Sequence, residues 1–115
     1  MNEYQRKALE TAIYPQDQKI IYPTLGLAGE AGEVADKVKK IIRDTIIKRD
    51  CDSGAIILDA EQRRQLALEI GDVLWYCATL SNDIGYTLQQ VADMNYEKLQ
   101  SRQKRGKIHG SGDER

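Results

Sequence analysis

Phenylalanine is absent from this chain, and its 115 residues include only two prolines, two cysteines, one histidine and one tryptophan. Each scarcity excludes something. Both prolines precede residue 24, so the rest of the chain carries no proline to interrupt a helix. A single pair of cysteines is no disulfide framework. Cys51 lies in a polar segment and Cys77 in an apolar stripe, and both are expected to be reduced thiols. His109, alone in a glycine-rich tail, is a poor metal ligand and is expected to be exposed and inert. No apolar run approaches the roughly 20 residues of a membrane helix. No signal-peptide pattern precedes the first helix, which leads to the expectation of a cytoplasmic protein with no membrane partner. The net charge of −1 supplies no global basic field, so nucleic acid is not an expected partner.

What is present fits a folded domain: 41% of residues are hydrophobic and 30% charged. The length suits one domain with a modest core, which a partner subunit would enlarge. Periodicity and stop signals predict four helices. The first covers residues 2–13 and closes at Tyr14-Pro15. The second starts at Pro23 and Thr24, carries Leu27, Ala31, Val34, Val38, Ile41 and Ile42 on one stripe, and fades near Lys48. Residues 49–59 join a polar loop to the apolar patch 56–58, as either a small hairpin or a flap. Asp59 with Gln62 is a capping-box start for the third helix, whose stripe is Leu66, Ile70, Val73, Leu74, Cys77, Leu80, Ser81 and Ile84. Gly85 stops it, and Thr87 with Gln90 repeats the capping box. The fourth helix then turns Leu88, Val91, Ala92 and Leu99 to one side. The fold class is all-α, a helical bundle or part of one made by a dimer.

The run GLAGEAGEV, residues 26–34, places Glu30 at the edge of the second helix's apolar stripe and Glu33 one step further round. They form E-x-x-E, one turn apart, so both side chains can reach one place. In EIGDVLWY, Glu69 and Asp72 flank the third helix's stripe in the same way, with Tyr76 on that strip one turn on. Like charges three apart on an exposed helix cost only a few tenths of a kcal/mol, and one such pair means little. If both stripes meet in one core, four carboxylates converge. At about 4 Å and an effective dielectric near 20, each like-charged contact costs roughly 4 kcal/mol. Protons or cations must then offset it. Carboxylates without His or Cys suit Mg²⁺ or Mn²⁺, and Mg²⁺ commonly shares its remaining positions with phosphate oxygens. The chemistry suggested is metal-assisted work on a phosphate ester or anhydride. Gly26, Gly29 and Gly32 admit either a ligand or a second helix at close range.

On the fourth helix Asn95 falls within the Val91–Ala92–Leu99 stripe, with Lys98 at its edge and Arg102 one turn on. Asn95 is either satisfied inside a core or interface, or, with Lys98, a contact to a nucleotide's sugar or phosphates. Trp75 is placed on the far side of the third helix from the acids, as a packing or subunit contact. Residues 1–102 form the helical domain and 103–115 a basic, glycine-rich tail. In that tail Lys104, Arg105 and Lys107, with Gly106, Gly110 and Gly112, either wrap a phosphate or end in a frayed terminus.

GLAGEAGEVADKVKK, EIGDVLWYCATL and VADMNYEKLQSRQKRG together resemble the MazG-like branch of the all-α nucleoside triphosphate pyrophosphohydrolases. The likeness extends over nearly the entire chain, from TAIYP and YPTLGLAGEAGEV to the GSGDER ending. E-x-x-E followed by E-x-x-D resembles that family's metal-binding signature. The resemblance implies a four-helix MazG-like bundle assembling as a homodimer or dimer of dimers. It implies Mg²⁺-dependent hydrolysis of nucleoside triphosphates to monophosphate and pyrophosphate, in nucleotide-pool housecleaning. Glu30, Glu33, Glu69 and Asp72 would be the metal ligands, with Glu33 also positioning or deprotonating the attacking water. Tyr76, Asn95 and Lys98 would touch the substrate. The alternatives are a catalytically idle helical interaction module with metal-stabilised dimerisation, and a regulator hydrolysing an alarmone nucleotide. The segment 48–59 is longer and more apolar than in the simplest members, which places a lid or an interface element there.

Overall fold

The structure, a computed structural model, describes residues 2–106 together with Gly110 and Gly112. The all-α expectation holds. Four α-helices, α1 (Asn2–Leu9), α2 (Ile21–Asp44), α3 (Ala60–Asp83) and α4 (Leu88–Lys104), are joined by short links, one of them containing a 3₁₀ turn at Gln16–Gln18. Two short strands, β1 (Lys48–Arg49) and β2 (Ile56–Ile57), pair antiparallel with Lys48 opposite Ile57. Segment 49–59 is therefore a hairpin at the far end of the α2–α3 pair.

The helix starts follow local chemistry. Asp59 and Gln62 form a reciprocal capping box at α3, and Thr87 and Gln90 another at α4. Gly85, at φ 90°, turns the chain between them. Two boundaries differ from those expected. α1 ends at Leu9, and the amides of Glu10, Thr11 and Ala12 bond three residues back, because the approach to Tyr14-Pro15 must leave the helical region. α2 begins at Ile21, two residues before Pro23. Within the first turn an amide needs no intrahelical partner, so the proline ring is tolerated there. Its cap, Ile20, stands at φ 69°, a conformation β-branched residues rarely adopt. Asp83 holds it, accepting from the Ile20 amide and from the Tyr14 hydroxyl, each at 2.9 Å. That hydrogen bond, after burial, pushes the Tyr14 hydroxyl up to about 12.

α2 and α3, each 24 residues and so about 36 Å long, pack along one another. α1 lies on the C-terminal part of α3 and meets α4 there. The fully buried apolar centre at this junction is small: Ala8, Ala78 and Leu88, flanked by Tyr4, Leu74, Trp75 and Cys77. Gln5 locks it. Its amide nitrogen donates to Ala78 O (3.1 Å) and Tyr86 O (3.2 Å), while its oxygen accepts from Leu88 N (3.1 Å). One buried side chain thus ties three helices together. Cys51, exposed in the hairpin, and the half-buried Cys77 are both free thiols.

Several positions expected on buried stripes are open. Ile42, Ile70, Ile84, Val91 and Leu99 lie at the surface, as do Ala31 and Ala92, because no element among the described residues packs over them. α4 continues through Gln103 and Lys104, beyond the boundary drawn at residue 102. His109 and Lys107 lie outside the described residues. Arg102 is buried and donates from Nη2 to Gly112 O at 3.1 Å.

Replacing Gln5 with Leu leaves the Ala78 carbonyl and the Leu88 amide without this partner inside the junction. Chemical denaturation should register a loss of about 1–3 kcal/mol, with helix content by circular dichroism unchanged below the transition.

Candidate metal centre

The pairing of α2 with α3 creates the site. Glu30 faces α3, where Glu69 and Asp72 lie one turn apart. Each of the three offers a carboxylate oxygen, and these atoms lie within 4.8 Å of one another. Glu30 and Glu69 are half-buried and Asp72 is exposed. Glu33 is exposed and stands outside this trio, but its charge reaches Glu30. The Glu30 carboxyl is held above the usual glutamate range, first by desolvation and then by the charges of Asp72, Glu69 and Glu33.

An all-oxygen donor set of this kind fits a hard divalent cation. Three carboxylates do not complete six-coordination, which leaves positions for water or phosphate oxygens. Among the described residues no cysteine or histidine belongs to the cluster, so the donor set is not that of a structural zinc site.

One glycine of the GLAGEAGEV run has a clear part in this packing. A Cβ on Gly26 would enter the ring of Tyr76, so glycine is what allows α2 to approach α3 there. Gly29 and Gly32 face open space within the chain. Tyr76 is half-buried. Its hydroxyl is pushed up by burial first, then by its neighbour Tyr22 and by the charges of Glu30 and Asp72. It belongs to an aromatic series: Tyr14 stacks on Tyr22 at 5.0 Å, Tyr22 meets Tyr76 at 6.2 Å, and Trp75 stands edge-on to Tyr76 at 4.9 Å.

Trp75 corrects the sequence reading. It does pack, donating from Nε1 to Ala8 O at 3.2 Å and to Thr11 Oγ1 at 2.8 Å. Yet with Thr11, Glu30, Asp72 and Tyr76 it also lines one open recess of about 340 Å³. Three residues beyond Asp72, Trp75 is only about 60° round the helix from it, although about 120° from Glu69. The far-side placement therefore holds better toward Glu69 than toward Asp72, beside which the recess opens.

Lys37 was not singled out from the sequence. Its Nζ lies 3.5 Å from Glu69 Oε1 and 3.5 Å from Gln65 Oε1. The available signal was its spacing, four residues after Glu33 and seven after Glu30, which puts it on their side of α2. Asn95 and Lys98 are elsewhere. They line a groove of about 730 Å³ with Ile84, Tyr86, Val91, Met94 and Glu97, and this groove shares no lining residue with the acidic recess. Asn95 is exposed and Lys98 half-buried.

The class is an all-α domain whose two longest helices present converging carboxylates, and comparison narrows it. Residues 18–106 match the MazG nucleotide pyrophosphohydrolase domain, and the chain belongs to that family. It is also 46% identical over 118 residues to the Gene 37 protein of Mycobacterium phage L5, a match that covers 97% of this chain and 96% of that protein. That name states no activity. No solved structure matches the chain.

Two outcomes test the site. Gly26→Ala forces Tyr76 aside, and unfolding measurements should show a loss of about 1–3 kcal/mol from overpacking. In metal-free protein, Glu30→Gln removes a carboxylate whose folded-state pKa is raised, so its charged form is destabilising above that pKa. The variant should melt higher than the wild type at pH 7. The gap should close as pH falls through the folded pKa of Glu30 toward its unfolded value near 4.3, because the wild-type group then becomes neutral. Adding Mg²⁺ should raise the wild-type melting temperature at pH 7, raise it less at pH 5, and move the variant little.

Proposed function

We propose that this protein is a Mg²⁺-dependent nucleoside triphosphate pyrophosphohydrolase, converting ribo- or deoxynucleoside triphosphate and water to the monophosphate and pyrophosphate. The observation that carries this reading is the convergence of Glu30, Glu69 and Asp72 within 4.8 Å in a chain of the MazG family. Glu30, Glu33, Glu69 and Asp72 would hold the metal, Glu33 joining the trio through a rotamer change. Mn²⁺ satisfies the same donor chemistry. Bound there, the cation would neutralise phosphate charge and lower the pKa of a water.

The chain's own residues would do the rest. Glu33, exposed and one turn from Glu30, would accept a proton from the attacking water. The water oxygen bonds to the α-phosphorus, the bond from that phosphorus to the α–β bridging oxygen breaks, and the electron pair leaves with pyrophosphate. Tyr76 and Trp75 give the recess an aromatic wall where the nucleoside part of a substrate would lie.

A second copy of the chain completes this reading. The radius of gyration is 17.5 Å, against about 13 Å for a compact domain of this length. The apolar residues Ile70, Ile84, Val91, Met94 and Leu99 are uncovered. Both facts favour a homodimer or dimer of dimers, in which Asn95 and Lys98 would meet substrate across the interface. No helix among the described residues is long and apolar enough to cross a membrane, and a cytoplasmic role in nucleotide-pool housecleaning suits the reaction.

The test is product analysis after incubation with a panel of ribo- and deoxynucleoside triphosphates and Mg²⁺. Monophosphate plus pyrophosphate is expected, with kcat in Glu33→Gln lower by about 10²–10⁴-fold. Diphosphate plus orthophosphate, or no turnover of any nucleotide, would overturn the proposal.

A further inference from the structure

The carboxylate cluster has two unlike ends. Along α3, Trp75 and Tyr76 stand at one end of the carboxylate cluster, Glu69 and Asp72 at its centre, and Gln65 at the other end, ten residues or about 15 Å from Trp75. From α2, Lys37 reaches over that last end, 3.5 Å from Glu69 and from Gln65. Its side chain is 32% exposed, so it is held near the cluster and still open to a ligand. At 3.5 Å neither contact is a tight hydrogen bond, and a stronger acceptor would capture the ammonium.

We propose that Lys37 binds the leaving pyrophosphate, and so sets which way round a nucleoside triphosphate lies between α2 and α3. The inference rests on the pyrophosphohydrolase reading and adds to it a named contact at the leaving-group end. When the bond to the α–β bridging oxygen breaks, that oxygen takes the electron pair and the charge on the departing group grows. An ammonium at this end meets that charge, while the aromatic end accommodates the nucleoside. Reversing the substrate would set the polyphosphate against the aromatic rings and leave the ammonium facing the base.

Lys37 has one competing role, as a built-in counter-cation for Glu69. The two roles predict opposite signs. If Lys37 only screens the carboxylates, Lys37→Gln strengthens Mg²⁺ binding and, with it, binding of the magnesium pyrophosphate complex. If it contacts pyrophosphate, Lys37→Gln weakens pyrophosphate binding while Mg²⁺ binding holds or tightens.

The experiment is calorimetric titration of inorganic pyrophosphate into the full chain at saturating Mg²⁺, with Mg²⁺ affinity measured separately for each variant. Lys37→Gln should weaken pyrophosphate binding about tenfold to a hundredfold, the range for a hydrogen bond to a charged group. Lys37→Arg, which keeps the charge and donors, should recover most of it. Lys39→Gln removes an equal charge that is paired instead with Asp36 and should bind like the wild type. Unchanged or tighter pyrophosphate binding in Lys37→Gln overturns the assignment, as would an equal loss in Lys39→Gln or a wild type that binds no pyrophosphate. The titration needs no turnover. A wild type that binds pyrophosphate through Lys37 but cleaves no triphosphate would therefore count against the functional reading alone.

Discussion

Three carboxylates converging within 4.8 Å across two helices repel one another, and the rest of the structure is arranged so that the fold survives that repulsion. The strain is visible in Glu30, whose carboxyl is held above its ordinary range by desolvation and by its three acidic neighbours. Relief comes from two directions. Lys37 brings one positive charge to Glu69 from the facing helix. The close seat of Tyr76 against Gly26 keeps α2 and α3 in register despite the repulsion beside it. A divalent cation would complete the compensation, and an oxygen-only donor set is the kind such a cation takes.

The support for this helix pair lies at one end. Gln5, the Ala8–Ala78–Leu88 contact and the Trp75 indole bonds tie α1 to α3, with Gln5 reaching α4 as well. Asp83 fixes the chain's entry into α2 through the Ile20 amide and Tyr14. The other end carries the two-residue strands of the hairpin. A single chain therefore has a locked base beneath the acidic cluster and long helices beyond it whose outer apolar residues are uncovered. That distribution is what the proposed dimer would complete.

Much of this was readable in the residues. Helix starts at Asp59 and Thr87 were legible because capping is local, needing only a side chain and an amide three residues on. The two acidic pairs were legible because a helix places i and i+3 on one side whatever surrounds it. Trp75 was misplaced although the same i, i+3 rule puts it beside Asp72; that it also closes a recess there depends on its contacts with Thr11 and Ala8, 64 and 67 residues away in sequence. Lys37 went unremarked because a lysine on a charged helix is ordinary until a partner helix is found across from it. Asn95 and Lys98 were read into the same site from the pattern of α4, yet within one chain they line a different groove.

The sequence by itself determined that four helices form, the capping boxes that start α3 and α4, and the family resemblance with its two acidic pairs, since each of these depends on short-range periodicity or on a pattern of residue types. Only the tertiary structure decided which three acids meet, that Gly26 rather than Gly29 or Gly32 makes room for Tyr76, and which cation stands beside Glu69. Those outcomes depend on the register and rotation of α2 against α3. Neither quantity is written in either helix alone, because both are fixed by how the two surfaces fit.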